Sequence, residues 1–535
     1  MFSEKLKLAL ELIASSDTFT IPAGAIEGFH VNLVTWGFTA EVSFRVNCEL
    51  EDDPVYPAMT ATAPIRAKLS IGRYRGPDEQ VTPLVLGGYV VERSFEETTS
   101  EDLEGEPVVG RLYRLRIVDP ARALWKRHFP VELYVNASMK EVVQAHLFGG
   151  IEVTYDFTKL DEKHDVLCVS TSPGSASFYD FIVWYIARHD GVLEFDPGTG
   201  RYRIGGEKKA GKAQPFDASC VQSVRVDLFE PHRHVTHVLN PHTEAATVNQ
   251  KVDNEDVIRG VRRDVFAHTP ISSRFDERVK LETARLRPSL DRVAIALQRF
   301  PDPAPTTAQL FQIGKGFSDK THAHGKDYRL VRLTAAGRIA ELPDDERDIE
   351  AEVAAFELDV NLRAEQKAEP HPTHPDHVAP PYPVSVEGKL LSSSGEDDDR
   401  TWTVIENESD SMHYQRIHVP LWDKTIIAPF LPNLLSGQFF FPPYKGQRVL
   451  VALDFTGASI RRFLDWAQNA RLPNETQGNQ LVMGYGAENG TIVRHLYRDD
   501  QPALRIERKL GDDIETIDVT EGTIRFEVRE QSESE

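Results

Sequence analysis

Six prolines (Pro370, Pro372, Pro375, Pro380, Pro381 and Pro383) divide the chain and restrict what can surround them. Proline fixes φ and removes a backbone donor, so this density reads as an extended, semi-rigid spacer. Beyond it, apolar and polar residues alternate in short runs at 384–392, 401–405, 414–419, 425–429, 447–454 and 459–466. That period of two, broken by turns, describes a small β-barrel. Within it lies the run from Phe439 through Pro442, Pro443, Tyr444 and Gly446 to Val451. Three more strand-like segments follow, Leu504/Ile506, Ile517/Val519 and Ile524/Phe526/Val528, set apart by turns at Gly511-Asp512-Asp513 and Thr520-Glu521-Gly522. The last carries three large apolar side chains with almost no chain left to cover them, and an edge of that kind needs a partner.

Upstream, the pattern changes three times. Leu6, Leu8, Leu10, Leu12 and Ile13 read as a short amphipathic helix within 1–16. Residues 17–118 read as β: Val42, Phe44 and Val46 alternate with polar neighbours, as do Leu112, Leu115 and Ile117. Three helices are then signalled. Asp119-Pro120 supplies an N-cap and a proline at the first helical position. Ser138 and Glu141 form a capping box. Ser177 caps a run with Phe178, Phe181, Ile182, Tyr185 and Ile186 at helical spacing, and Gly191 stands where a C-terminal cap would. A hairpin follows, Val192–Phe195 and Arg201–Ile204. Residues 219–365 return to β, with Val224/Val226/Leu228, Val293–Leu297, Tyr328–Leu333 and Phe356–Val360, and read as a second barrel or sandwich.

Length and charge narrow the function. At 535 residues the chain exceeds a single core, and three to four domains are expected. A net charge of −22 opposes general nucleic-acid binding and anionic membrane surfaces, both of which need basic faces. The acidic run Glu396–Asp399 reads as a solvated loop. Cys48, Cys168 and Cys220 are odd in number and lack metal-knuckle spacing, which points to cytoplasmic synthesis without disulfides. No signal-peptide pattern opens the chain, and no apolar run reaches a membrane-spanning length.

Candidate chemistry is sparse. His232 and His234 in the run His232–His237 share a strand face and form a conceivable metal pair, but no carboxylate or further ligand is identifiable beside them. His322 with His324 is a similar pair in a loop. His371, His374 and His377 lie in the proline segment and read as a solvated linker. There is no G-x-S-x-G elbow and no H-E-x-x-H. The segment Ile204–Lys209 has two glycines and no helix after it, so it reads as a hairpin exit, not a phosphate cradle. The aromatic group Phe178, Tyr179, Phe181, Trp184 and Tyr185 reads as core. Catalytic, cofactor and metal residues are accordingly expected to be none.

Taken in order, these segments resemble one family. Leu112-Tyr113-Arg114-Leu115 leading to Asp119-Pro120 and Leu124 resembles the strand-to-helix signature of VgrG spike proteins and related phage tail hub proteins. The helix from Ser138 to Leu147, the aromatic helix from Ser177 with its hairpin at Gly191–Phe195, and Gly87–Val91 are similar to further parts of that family. So are Val386–Leu390, Gln415–Trp422 and Phe441–Val449, although Gln447 and Arg448 stand where the family commonly has acidic residues. The resemblance implies a mainly β fold with an α+β insert: two barrel-like hub domains, an OB-type barrel and a short C-terminal trimeric β-prism or β-helix. The implied boundaries are a first hub barrel with N-terminal helix at 1–118, an α/β insert at 119–218, a second hub barrel at 219–365, a linker at 366–383, the OB-type barrel at 384–470 and the spike at 471–535. It implies a non-enzymatic homotrimer at the tip of a contractile injection machine, made in the bacterial cytoplasm and delivered outward. Implied partners are an inner-tube ring, baseplate proteins, a separate PAAR-like tip protein and effector cargo, with no nucleic acid and no cofactor. Ile506, Ile517, Val519, Ile524, Phe526 and Val528 would face the trimer mates. Other readings are an OB-type glycan- or ligand-binding protein and a metal-dependent hydrolase.

Overall fold

The computed structural model describes residues 2–15, 17–48, 53–76, 81–101, 107–242, 245–340, 348–395, 401–407, 412–429, 445–464, 480–486 and 489–530. The run Phe439–Tyr444 and the acidic run Glu396–Asp399 lie outside them. The fold is mainly β, and the chain forms two compact units. The first holds 1–131, 137–163 and 169–381, the second 132–136, 164–168 and 382–535.

In the first unit, eight described strands close a ring. They are β1 (Phe2–Ala14), β2 (Ile26–Val34), β3 (Gly37–Cys48), β4 (Ile65–Arg73), β5 (Leu84–Glu101), β6 (Pro107–Val118), β7 (Asp327–Ile339) and β8 (Val353–Gln366). The order β7-β2-β3-β6-β5-β4-β1-β8 is completed by β8 pairing back onto β7. The expected N-terminal helix is therefore a strand. Lys5–Leu12 is built from good helix formers, but propensity differences amount to tenths of a kcal/mol per residue. Leu6, Leu8, Leu10 and Leu12 recur every second residue and are at most 1% exposed. Burying each stabilises by roughly 1.5–3 kcal/mol, so the period of two wins. Phe44 stacks on Tyr113 inside the ring with centroids 5.1 Å apart. Gly88 is required where β5 crosses β6, because a Cβ there would sit 2.1 Å from the Val118 carbonyl oxygen and 2.9 Å from the Phe38 ring.

The second barrel-like region is built onto the first. Its strands continue the same sheet through β7 and β8, which serve both sides. On β8, residues 353–358 pair with β1 and 361–365 pair with Arg292–Leu297. Val221–Asp227 extends this side beyond Arg292–Leu297, and Leu310–Gln312 extends it beyond β7. Strand Val235–Leu239 leaves the sheet to join Asn249–Val252 and Arg262–Phe266. That small sheet packs Val238 and Val252 on Phe275 of a helix at Ser272–Arg285.

The three expected helices form at Pro120–Leu124, Met139–Ala145 and Phe178–Arg188. Asp119 caps the first through the Arg122 N–H, and it also accepts the Tyr202 hydroxyl at 2.5 Å and the Phe38 N–H at 3.2 Å. Ser138 and Glu141 close a capping box, and so do Ser177 and Asp180. At the end of the third helix Asp190, not Gly191, takes the left-handed conformation, with φ of 51°. Gly191 is instead a close-approach position, 2.8 Å from the Phe157 ring if it carried a Cβ.

In the second unit, the strands Ile405–Asn407, Met412–Val419, Val384–Leu391, Arg448–Asp454 and Gly457–Phe463 form a sheet in that order, with Lys424–Pro429 beside Met412–Val419. Alternation puts Val386, Leu390, Ile417, Val419, Val449 and Val451 in one core. The α/β insert contributes to that core as well. Leu133, Val166 and Cys168, from a strand pair within 119–218, are buried in it. Burial pushes the Cys168 thiol pKa up to about 12, with Asp454 adding to the effect. Cys168 and Cys220 are buried thiols outside any disulfide, and the Cys48 side chain lies outside the described set.

Candidate interaction surface

The six residues singled out in the tail all fall on one five-stranded meander of the second unit. Its strands are β9 (Gln480–Gly486), β10 (Asn489–Arg498), β11 (Gln501–Leu510), β12 (Asp513–Thr520) and β13 (Thr523–Arg529). The turns form where glycine permits them, Gly511 at φ 61° and Gly522 at φ 68°. Directly paired residues of an antiparallel sheet point to the same side, so the register assigns every side chain to a face. One row runs Leu481, Val493, Ile506, Ile517 and Phe526. The next runs His495, Leu504, Val519 and Ile524. A third runs Met483, Thr491, Arg508, Glu515 and Val528.

This face is apolar and uncovered. Ile524, Phe526 and Val528 are 62%, 73% and 62% exposed. Leu481, Met483, Tyr497, Leu504 and Leu510 are exposed on the same side, while Ile506, Ile517 and Val519 are half-buried among them. One ion pair interrupts the face, Arg508 with Glu515 at 2.6 Å.

The opposite face is closed by charge. Asp518 is 8% exposed and lies 3.3 Å from the Arg498 guanidinium and 3.8 Å from that of Arg505. Glu527 takes Arg529 at 2.6 Å and Arg525 at 3.1 Å, and the Arg529 hydrogen bond holds its carboxyl below the usual carboxylate range. The large exposed apolar side chains thus collect on one side of the sheet, and the ion pairs of Asp518 and Glu527 on the other. Sequence reasoning named the apolar members of these rows on β11, β12 and β13. It missed Leu481, Met483 and Tyr497 on β9 and β10, strands that carry Gly484 and Gly490 and alternate weakly.

The histidine candidates do other work. His232 and His234 lie just before strand Val235–Leu239 with rings 5.5 Å apart, and His371 stands 6.2 Å from His232. Burial first, and then His234, His371 and Arg263, lower the His232 pKa. Among the described residues no group of three His, Cys, Asp or Glu could hold a metal ion. His322 approaches Lys326 at 3.0 Å and Asp291 at 3.6 Å. The proline segment is not a solvated linker along its whole length: His371 donates to the Arg287 carbonyl at 2.7 Å and His374 to the Gly191 carbonyl at 2.8 Å, within the first unit. Lys208 of the glycine-containing exit loop is committed to Glu365 at 2.6 Å and to the Glu369 carbonyl at 3.1 Å. Phe178, Tyr179, Phe181 and Tyr185 are buried core.

No protein-family model matches the chain, and no curated protein does. Solved structures do match. A chain of the PdpA–VgrG complex in its lidless form aligns with a TM-score of 0.71 at 12% identity, over 99% of this chain and 99% of that one. The half-lidded Francisella PdpA–VgrG complex aligns with the same score and identity, over 99% of this chain and 88% of that one. The E. coli c3393 protein, described as a type VI secretion component structurally similar to the T4 tail proteins gp27 and gp5, aligns at 0.47 and 10% identity over 84% and 99%. The chain has a VgrG-like fold.

Proposed function

We propose that this chain is the structural hub and spike of a contractile injection machine and works as a homotrimer. The observation that carries the reading is the tail sheet: an apolar face bearing Ile524, Phe526 and Val528, backed by a face already closed with ion pairs. Three copies placing these faces against one another would bury them around a common axis, as a closed cyclic oligomer does. The full-length likeness to a chain of a PdpA–VgrG complex supports the same role. In this reading the ring of β1–β8 and the sheet that shares β7 and β8 adapt a sixfold tube to a threefold spike. An inner-tube ring and baseplate proteins dock at the hub, and a separate PAAR-like tip protein or effector cargo is carried at the leading end. The work comes from contraction of the machine, so the chain itself performs no chemistry. It is assembled in the bacterial cytoplasm and leaves with the particle.

The test is oligomeric state. Native mass measurement is expected to give three copies of the 60.2 kDa chain. Ile524→Asp with Phe526→Asp is expected to leave folded monomers, since each buried carboxylate without a partner costs several kcal/mol. A stable wild-type monomer sinks the reading. A trimer that survives both substitutions removes the tail sheet from the interface.

A further inference from the structure

Two imidazoles meet in the first unit where three helices converge. His128 follows the turn Trp125–Arg127, and His146 ends the helix Met139–Ala145. His128 Nε2 lies 2.9 Å from His146 Nδ1, so one ring donates a hydrogen bond to the other. His146 is 5% exposed and His128 is half-buried. The third helix covers them with Phe178, whose ring centroid is 4.4 Å from that of His146 and 5.5 Å from that of His128. Phe148 packs edge-on at 5.1 Å from His128. The backbones of the same two residues complete the junction. The His128 carbonyl accepts the Phe178 N–H at 2.9 Å, and the His146 carbonyl accepts the Trp125 indole N–H at 2.9 Å. The pair therefore ties the end of Pro120–Leu124 and its turn to the end of Met139–Ala145 and the start of Phe178–Arg188. Charged side chains on these elements are held by other partners: Arg122 by Asp119 at 3.4 Å, Lys126 by Asp180 at 2.8 Å, Lys140 by Asp161 at 3.0 Å and Glu141 by Ser138 in the capping box. Arg127 and Arg188 are exposed. His189 and His374 stand at the far end of Phe178–Arg188, on the Tyr185 ring and the Gly191 carbonyl.

We propose that the His128–His146 bridge is an acid-sensitive latch on this three-helix junction. Proton counting gives the direction. A neutral pair holds one N–H at the bridge, and uptake of one proton still leaves an acceptor nitrogen there. Uptake of two makes both facing nitrogens donors, breaks the bridge and sets two cations side by side. The folded junction thus takes up at most one proton while the bridge holds. The unfolded segment takes up two as pH falls below the ordinary imidazole value of about 6.5. The state that binds fewer protons loses stability as pH falls, so the junction is stable above that value and weakens below it. Once both unfolded imidazoles are charged, its opening equilibrium rises about tenfold for each pH unit. The latch does not depend on oligomeric state, and it stands or falls separately from the trimeric spike reading.

The experiment is amide hydrogen exchange of the full chain between about pH 7.5 and about pH 5, corrected for the intrinsic pH dependence of exchange. It is read in Met139–Ala145 and in the first turn of Phe178–Arg188, away from His189 and His374. Wild type is expected to open about tenfold more readily for each unit below about pH 6, with β1 unchanged. His128→Gln gives His146 an amide partner that does not titrate, so the variant is expected to lose most of that slope. Deuterium uptake at the imidazole C2 positions, read by mass spectrometry, titrates each histidine of the wild type without any substitution. The two are expected not to carry charge together while the helices stay protected. Equal slopes in wild type and His128→Gln overturn the latch, and so does full protonation of both imidazoles in a protected junction.

Discussion

Glu282 shows how one residue can organise an element whose sequence does not announce it. Its side chain is 0% exposed, on a helix whose only other buried residue is Phe275. Three guanidiniums converge on it: Arg278 at 2.9 Å, Arg285 at 3.1 Å and Arg263 at 3.6 Å. Arg263 comes from the adjoining strand, so the carboxylate ties helix to sheet. Removing one member of such a cluster leaves like charges facing one another at a desolvated site. Glu282→Gln is therefore expected to destabilise the 235–285 subregion by about 2–3 kcal/mol. The arginines are 27–48% exposed and can recover some solvation, which keeps the figure from being larger. Amide hydrogen exchange in Val235–Leu239 would report it as faster opening there, with β1 unchanged. Equal protection in the variant would show that the carboxylate contributes nothing. The same residue explains why this helix is missing from the sequence reading. Ser272–Arg285 lacks an N-cap side chain, and its buried stripe is half apolar and half charged. Hydrophobic periodicity is blind to a buried carboxylate.

At the scale of elements, legibility followed burial. The capped helices were readable because Asp119, Ser138 and Ser177 satisfy orphan N–H groups by local chemistry that the sequence carries on its face. The strand alternation of the second unit was readable for the same kind of reason. β1 was misread because its residues are intrinsically helical and only the ring around them makes them a strand. The sharing of β7 and β8 left no sequence mark at all, since pairing partners are far apart along the chain. That shared pair carries a pH-dependent lock. Asp291 accepts Tyr328 at 2.9 Å and Lys326 at 3.1 Å from the β7 end, together with the Gln366 amide at the end of β8. Burial alone would raise its pKa, but these three donors outweigh burial and depress it. A carboxylate depressed in the folded state stabilises fully above its unfolded pKa of about 3.9, and that contribution is lost as pH falls through the lower folded value. Wild type is thus expected to exceed Asp291→Asn by about 1–3 kcal/mol near neutral pH. The gap should close below about pH 4. Exchange protection of β7 and β8 amides, compared at both ends of that range, measures it; a gap independent of pH assigns the loss to packing instead.

For the whole molecule, two forces act on self-association and salt separates them. Every copy carries −22, so bringing copies together is opposed by long-range repulsion. What favours association in the proposed trimer is the bare side of β9–β13, where apolar side chains outnumber the single Arg508–Glu515 pair. Raising ionic strength shortens the reach of the repulsion from about 30 Å at 10 mM to about 8 Å at 150 mM and leaves apolar burial essentially intact. Kosmotropic salts strengthen that burial further. Sedimentation of the full chain across that range is therefore expected to show the trimer fraction rising with salt at fixed protein concentration, and rising more in sulfate than in chloride. A trimer that dissolves as salt rises would mean that ion pairs between copies hold it, and the apolar face of β9–β13 would then need another occupant.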